Sequence, residues 1–574
     1  MTETTRDLLE QHFDTAFAAP EGITKLRELI LTLAMQGKLV EQNPADQPAS
    51  ELLKEIEAEK QRLVKAGKIK VPKPLPSIKP DEVPYQLPLG WAWVRLGHIC
   101  SYIQRGKGPK YIDLSTHRVI SQKCVRWYGL DLEPARYIDP DSLEKYEPIR
   151  FLRVGDLLWN STGTGTIGRA CIVPKELEDA EIVADSHVTV VRPIDVSSAF
   201  LWRWIQSPIV QNEIEDSASG TTNQIELNTS TVINHLMPLP PLPEQHRIVA
   251  RIDQLMARCD ALEALRKGRE EKRQAVHAAA MQQLLEVKDG AAWGFVEQHF
   301  GELYSVKANV AELRKAILQL AVMGRLVPQA PTDQPASELL KEIDAEKQRL
   351  VKAGKIKPHK PLPIIKPDEV PYQLPQGWEW VRLGNVALSS ESGWSPQCNS
   401  EPRTGNQWGV LKVSAVSWGA FNPNENKALP ILAQPRPECE VQSGDFLISR
   451  ANTDELVARS VIVGNTPPRL MLSDKIVRFN LSSHVNKFFI NHVNGANSSR
   501  AHYTKNASGT SSSMKNVSRE TMSLLPIPLA PIAEQCRIVA RIDQLMTLCD
   551  TLEQKINDAT DKQTELLNAV MAQV

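Results

Sequence analysis

The sequence lacks most of what would let a protein carry out chemistry by itself. Nowhere in its 574 residues is there a G-x-x-x-x-G-K-[ST] loop to cradle ATP phosphates. No N-P-P-[FY] of the amino-methyltransferase type occurs either, since Asn43-Pro-Ala-Asp and Asn422-Pro-Asn-Glu do not fit it. The eight cysteines stand at 100, 124, 171, 259, 398, 439, 536 and 549 without a C-x-x-C pair, which argues against a zinc or disulfide framework. Reduced thiols in a cytoplasmic protein are the simplest reading. The twelve histidines show no ligand spacing, so no metal site is expected. No apolar run approaches the roughly 18–20 residues of a membrane span, and Met1–Glu10 is polar and acidic, unlike a secretory leader. Charge of one sign is missing too. Lys and Arg number 67 against 68 Asp and Glu, a net −1 that argues against strong, autonomous, non-specific nucleic-acid binding.

What is present is ordinary globular composition, with 42% hydrophobic and 24% charged residues, in a chain too long for one core. It is also a duplication. Pro-Ala-Asp46-Gln-Pro-Ala-Ser50-Glu-Leu-Leu-Lys-Glu-Ile56 returns as Pro-Thr-Asp333-Gln-Pro-Ala-Ser337-Glu-Leu-Leu-Lys-Glu-Ile343. The same offset of 287 carries Gly90-Trp-Ala-Trp-Val-Arg-Leu-Gly97 onto Gly377-Trp-Glu-Trp-Val-Arg-Leu-Gly384, and Glu-Gln-His12-Phe onto Glu-Gln-His299-Phe. Further on, Glu244-Gln-His-Arg-Ile-Val-Ala-Arg-Ile-Asp-Gln-Leu-Met256 recurs as Glu534-Gln-Cys-Arg-Ile-Val-Ala-Arg-Ile-Asp-Gln-Leu-Met546, each after a proline-rich lead-in. Between these copies lie two dissimilar blocks, 98–236 and 385–524. A duplicated enzyme is expected to keep its catalytic residues in the matching parts. Here the matching parts read as struts and the differing parts as two separate readers.

Periodicity fixes the coarse elements. Ile248, Ile252, Leu255, Cys259 and Leu262 fall alternately four and three apart, as do Ile538, Ile542, Leu545, Cys549, Leu552 and Ile556. Each set is a coiled-coil-like seam on a long helix, and no proline interrupts 244–288 or 532–574. Because the two stripes nearly match, burying them against each other about a pseudo-two-fold is the favoured arrangement, with packing of each helix on its own domain as the alternative. The first stripe fades at Arg266, Arg269 and Arg273. Shorter helices are expected at 50–66 and 337–353, followed by extended proline-rich connectors at 69–89 and 356–376. Trp91 and Trp93, like Trp378 and Trp380, alternate as on a strand, and Gly155–Asn160 and Gly444–Ser449 look like strands entered from a turn. The fold class expected is α/β (α+β) and multidomain, with two mixed α/β domains separated by two long antiparallel coiled-coil-like helices. Its parts are 1–89, a first domain at 90–240, a helix at 241–288, a repeated region at 289–376, a second domain at 377–530 and a helix at 531–574.

The combination resembles the specificity subunits of type I restriction–modification systems, along essentially the whole chain. It is carried by the Leu-Pro-x-Gly-Trp-x-Trp-Val-Arg-Leu-Gly blocks ending at Gly97 and Gly384, by Gly-Asp-Leu-Leu at 155–158, and by Pro-Leu-Pro-Pro-Leu-Pro-Glu-Gln-His-Arg-Ile-Val at 238–249. The Lys-Pro-Asp-Glu-Val-Pro-Tyr connectors at 79–85 and 366–372 are similar to those of the type IB branch. The resemblance implies a non-catalytic subunit whose two target-recognition domains each read half of a bipartite site on double-stranded DNA. The long helices would set the unread spacer and dock the modification subunits, two of them. Restriction subunits would complete the complex, and S-adenosylmethionine, ATP and Mg would belong to those partners, none being bound by this chain.

With that expectation, basic residues inside the dissimilar blocks become candidate DNA contacts: Arg105, Lys107, Lys110, Arg118, Lys123 and Arg126 in the first, Lys487, Arg500, Lys505, Lys515 and Arg519 in the second. Gly163-Thr-Gly165-Thr-Ile-Gly168 matches a dinucleotide fingerprint by letters, but strand-like residues follow it instead of a helix. It is expected to be a tight loop whose amides, Thr164 among them, can touch a phosphate. Ser-Gly220-Thr-Thr-Asn-Gln224, with Thr221 and Asn223, and Ser-Gly509-Thr-Ser-Ser-Ser513, with Thr510, are either hydroxyl loops on phosphates or polar turns. The tryptophan pairs lie in the near-identical parts and are expected in the core. A non-DNA scaffold and a divergent nuclease or methyltransferase are the competing readings.

Overall fold

The computed structural model describes residues 15, 17–144, 146–163, 165–218, 226–286, 291–358, 360–417, 419–509 and 514–572. The chain divides into two compact units, Met1–Arg269 with Ala559–Val574, and Glu270–Asp558. Each division point falls within a long helix, Leu242–Glu286 of 45 residues or Ile532–Ala572 of 41.

Both units follow one plan. Strand Ala92–Arg95 pairs antiparallel with Leu236–Leu239, and Glu379–Arg382 pairs with Pro526–Leu529, so each dissimilar block begins and ends at one place. Inside the first block, an antiparallel sheet runs in the order Cys100–Arg105, Val188–Pro193, Leu157–Asn160, Ala170–Ile172. The second block repeats that order with Ala387–Ser392, Ile476–Leu481, Phe446–Ser449 and Ser460–Ile462. A smaller sheet accompanies each. In the first unit it comprises Val183–Ala184, Arg118–Ile120, Arg136–Ile138 and Tyr111–Ile112, and in the second Asn426–Ala428, Gly409–Leu411 and Leu470–Met471. Each contains one parallel pair. The α/β class expected from the sequence is the one found.

The local reasons are visible in the residues. The second strand of each larger sheet is flanked on both sides, and it begins accordingly with β-branched residues, Val188-Thr-Val-Val in one and Ile476-Val in the other. Gly155 and Gly444, at φ 84° and 86°, make the turn into Leu157–Asn160 and Phe446–Ser449, a conformation that a side chain would strain. The Asp after each glycine holds that turn and pairs with an arginine of the flanked strand. Asp156, 1% exposed, receives Arg192 Nε and Nη2 at 2.7 and 2.6 Å, and Asp445 receives Arg478 Nη1 at 3.0 Å.

The shorter helices form at Ala49–Lys65 and Ala336–Lys352, with Leu52, Ile56, Leu339 and Ile343 buried. Leu53 and Leu63 are only partly buried, while Lys60 is buried and donates to the Gly97 carbonyl at 2.6 Å. Burial lowers the ammonium pKa of Lys60 and of its counterpart Lys347. Helices Gly22–Met35 and Lys307–Val322, which periodicity reading does not single out, complete the units.

These two helices decide where the long-helix stripes go. Ile248, Ile252 and Cys259 are buried in the first unit's core with Ile30, Ala34 and Met35, and Leu255 packs against it. Ile538, Ile542 and Cys549 are buried in the second unit's core with Val310, Ile317 and Ala321, and Leu545, Leu552 and Ile556 pack on it. Arg27 bonds Glu263 at 2.9 Å, and Arg314 bonds Asp550 at 2.6 Å, clamping each helix to its partner in the unit. The stripe residues thus find their burial in their own unit and not against each other as favoured from their near-matching pattern, because a helix of the same unit already covers each stripe. Leu262, expected on the seam, is 45% exposed. The fading at Arg266 has a partner within the unit as well, since its guanidinium donates to the Phe17 and Ala19 carbonyls.

Candidate nucleic-acid interface

The repeated motifs turn out to be mounts for the dissimilar blocks. Trp91 Nε1 donates to Glu244 Oε2 at 3.0 Å, and Trp378 Nε1 to Glu534 Oε2 at 2.9 Å. Burial raises the pKa of both carboxyls. Next in sequence, Gln245 Oε1 accepts Ser197 N–H and Gln535 Oε1 accepts Asn486 N–H, each at 2.9 Å. Arg247 and Arg537 then reach Asp46 and Asp333 at 2.6 and 2.7 Å. Three positions within the first turns of each long helix thereby fasten a tryptophan, a dissimilar block and the preceding repeat. Arg95 and Arg382, 4% exposed, tie down the connectors through the Pro76 and Pro363 carbonyls and through Glu82 and Glu369. Packing claims the first tryptophan of each pair, since Trp91 and Trp378 are buried as expected, whereas Trp93 and Trp380 are half-buried against the Tyr85 and Tyr372 rings.

At one end of each larger sheet, several segments converge on a common hydrogen-bond framework. In the first unit Gly106 N donates to Val188 O, Lys107 N to Ala184 O, Ser161 N to His187 O and Leu227 N to Ser161 O, at 2.9–3.1 Å. In the second, Gly393 N donates to Ser473 O, Trp394 N to Leu472 O, Arg450 N to Lys475 O and Val517 N to Arg450 O, at 2.7–3.2 Å. The loop after the Gly-Asp strand closes alike in both. Gly168 N bonds Asn160 O in one and Ala458 N bonds Ser449 O in the other, with Gly168 and Ala458 both at positive φ. Two dissimilar sequences therefore build one rim. Gly163 and Gly165 lie in this strand-to-strand loop, with Thr166 N donating to Gly163 O at 3.0 Å, and among the described residues the loop opens no helix.

The predicted basic residues divide by position. Arg105, Lys107 and Lys123 stand at the rim. Arg105 is half-buried, donating to the Leu227 carbonyl at 3.0 Å with Glu226 at 3.5 Å, while Lys107 and Lys123 are exposed. Lys110 is paired with Asp139 at 2.8 Å, which raises its pKa. Arg118 lies over the Tyr137 ring at 5.4 Å and donates to Leu132 O. Arg126 sits on the hairpin Val125–Arg126/Gly129–Leu130, 3.8 Å from Asp131. In the second unit Lys515 and Arg500 gather at Asp454 in the rim loop, Lys515 at 3.9 Å from its carboxylate and Arg500 at 3.4 Å from its carbonyl. Burial brings the Arg500 pKa down to about 10. Lys505 is exposed on helix Asn497–Asn506, and Arg519 donates to the Ser390 carbonyl at 3.1 Å. Lys487 is not brought to the rim; its Nζ bonds the Gly444 carbonyl at 2.6 Å, at the other end of strand Phe446–Ser449. Thr164, Thr221, Asn223 and Thr510 lie outside the described residues.

A search for basic runs passes over other residues of the rim, the uncharged Gln104, Gln122, Thr162 and His187 in the first unit, and Asn452 with the isolated Arg450 and Lys475 in the second. Aligning the two blocks on their Gly-Asp strands is the signal that finds them. Among the described residues no three His, Cys, Asp or Glu are placed to hold a metal, and no helix is long and apolar enough to cross a membrane.

The two matched blocks correspond to a known domain. The family model for the type I restriction modification DNA specificity domain matches residues 88–270 and again 375–560. The chain belongs to this family. The specificity subunit of the type I restriction enzyme EcoEI of Escherichia coli is 36% identical over 568 residues, covering 96% of this chain and 93% of that one. That of EcoAI, also from Escherichia coli, is 33% identical over 594 residues, with the same coverage. The S subunit from Thermoanaerobacter tengcongensis, a solved structure, aligns at 18% identity with a TM-score of 0.43, over 85% of this chain and 98% of that one. The chain is thus a DNA-recognition specificity subunit, a non-catalytic component of a type I restriction–modification system.

Proposed function

We propose that this specificity subunit reads a bipartite site on double-stranded DNA, each unit reading one half with the rim of its larger sheet. The observation that carries the reading is the shared framework with different side chains mounted on it. A fixed scaffold presenting variable polar tips suits two different short sequences read in the same manner. Lys107 and Lys123 in the first unit, and Lys505 and Lys515 in the second, supply phosphate contacts that position the duplex without reading it. Polar tips at base edges then discriminate, each good bidentate contact being worth about 1–3 kcal/mol against the wrong base.

The long helices set the unread spacer between half-sites, and their exposed faces dock two modification subunits. Restriction subunits complete the assembly. S-adenosylmethionine, ATP and Mg act in those partners, where base flipping and adenine methylation take place. The near-neutral charge of this chain fits such sharing, because the partners contribute part of the positive surface. A methylation map of the host genome with and without the gene tests the reading. Loss of methyladenine from one split motif is expected. An unchanged map, with the modification subunit expressed, would leave the chain as a scaffold.

A further inference from the structure

Superposing the two frameworks pairs His187 with Lys475. Each sits at the tip of the turn that precedes the flanked strand, and each offers its carbonyl to the rim loop, His187 to Ser161 N–H at 2.9 Å and Lys475 to Arg450 N–H at 2.7 Å. His187 N–H is held by Asp185 Oδ1 at 2.9 Å. The turns' backbone is largely committed to the framework, so side chains are what these tips have to offer a ligand. Both are exposed.

The two side chains are prepared differently. Thr162 Oγ1 lies 2.6 Å from His187 Nδ1, which fixes the imidazole plane, and among the described residues nothing bonds Nε2. Lys475 Nζ is 3.5 Å from Asp474 Oδ2, the carboxylate beside it in the turn.

We propose that His187 and Lys475 are specificity-determining residues, each presenting its polar group to a base edge in the major groove of its own half-site. The inference rests on the reading of the units as half-site readers. A phosphate accepts a hydrogen bond from any donor, and an aimed ring offers it no advantage over the flexible Lys107 and Lys123 nearby. A base edge rewards aim, because its donors and acceptors are fixed in a plane and differ from pair to pair. An imidazole locked through Nδ1 offers a single directed group at Nε2 and loses little rotamer freedom on binding. The Lys475 ammonium offers donors only, which suits O6 and N7 of guanine. The half-site read by the second unit is therefore expected to carry a guanine where Lys475 reaches, and the two halves differ in part because these tips differ.

The test uses the full chain assembled with its modification subunits, and measures methylation across duplexes in which each half-site base pair is changed singly. His187→Ala is expected to relax the preference at one base pair of one half by about ten- to a hundredfold, leaving the other half as it was. Thr162→Val should relax the same base pair by less. Lys475→Ala should relax a guanine preference in the other half. If His187→Ala fails to assemble, His187→Gln carries the test with the same expectation. Uniform weakening across all duplexes would make these phosphate contacts and overturn the proposal, as would unchanged preferences. Relaxation spread over both halves by one substitution would instead overturn the half-site reading beneath it.

Discussion

Removing the carboxylate of Asp156 is expected to damage its unit more than removing that of Asp445, although the two occupy the same place in the fold. Arg192 is 8% exposed, and Asp156 is the one carboxylate that meets it among the described residues, bidentate at 2.7 and 2.6 Å. Two carbonyls, of Ile149 and Phe151, complete its coordination. Asp156→Ala therefore leaves a buried guanidinium without a counter-charge, a loss of about 3–5 kcal/mol. Arg478 is equally buried but also bonds Glu391 at 2.7 Å and the Glu438 and Glu440 carbonyls. Asp445→Ala keeps that second carboxylate, so the cost falls to that of one hydrogen bond to a charged group, about 1.5–3 kcal/mol. Both aspartates also accept a turn amide, of Arg153 or Gln442, a contribution that cancels in the comparison. Native-state hydrogen exchange of the full chain reads the difference at Val188–Pro193 and Ile476–Leu481. The Asp156 variant should speed exchange about tenfold more than its counterpart. Equal acceleration, or a loss below about 1 kcal/mol for Asp156→Ala, would refute the reasoning from coordination.

Four further outcomes follow from the same contacts. Gly106→Ala should disable the first unit selectively, because a Cβ there would meet the Ala184 carbonyl oxygen at 2.1 Å; methylation insensitive to that substitution would contradict the geometry. Trp91→Phe removes the bond to Glu244 and should cost about 1.5–3 kcal/mol in exchange at Ala92–Arg95 without altering the target motif, whereas an altered motif would mean that the ring reads bases. Lys107→Ala and Lys123→Ala should each lower the salt dependence of DNA binding by about 0.9 in logarithmic slope, equally for all sequences. Glu369 is held down to about 2, against an ordinary 4.5, chiefly by its hydrogen bond from Arg382. Its contribution is complete above the ordinary value and disappears as pH falls from there toward 2. Protection of the Lys366 and Glu369 amides, measured against the intrinsic exchange rate at each pH, should fall over that window, and Glu369→Gln should abolish the pH step.

Much of the frame is legible in the letters because it is written twice. The duplication, the long proline-free helices, the Gly-Asp turns and the buried tryptophans all follow from local pattern. The partner of a stripe does not. Ile248 and Ile252 announce that a face is buried, but the helix Gly22–Met35 that covers it lies over 200 residues earlier. Charge counting fails for a similar reason. Lys110 and Arg118 read as free cations until Asp139, Tyr137 and the Leu132 carbonyl are seen beside them. His187 carries no signal of charge or motif, and only the framework it shares with Lys475 brings it forward.

The central claim is two independent readers on one frame, and exchanging one block tests it most directly. Residues 98–236 would be replaced by the corresponding block of a relative with a different target, and methyladenine mapped in cells that carry the modification subunit. The account predicts a motif with one half changed, and with the other half and the gap intact. Changes in both halves, or none in either, would contradict it.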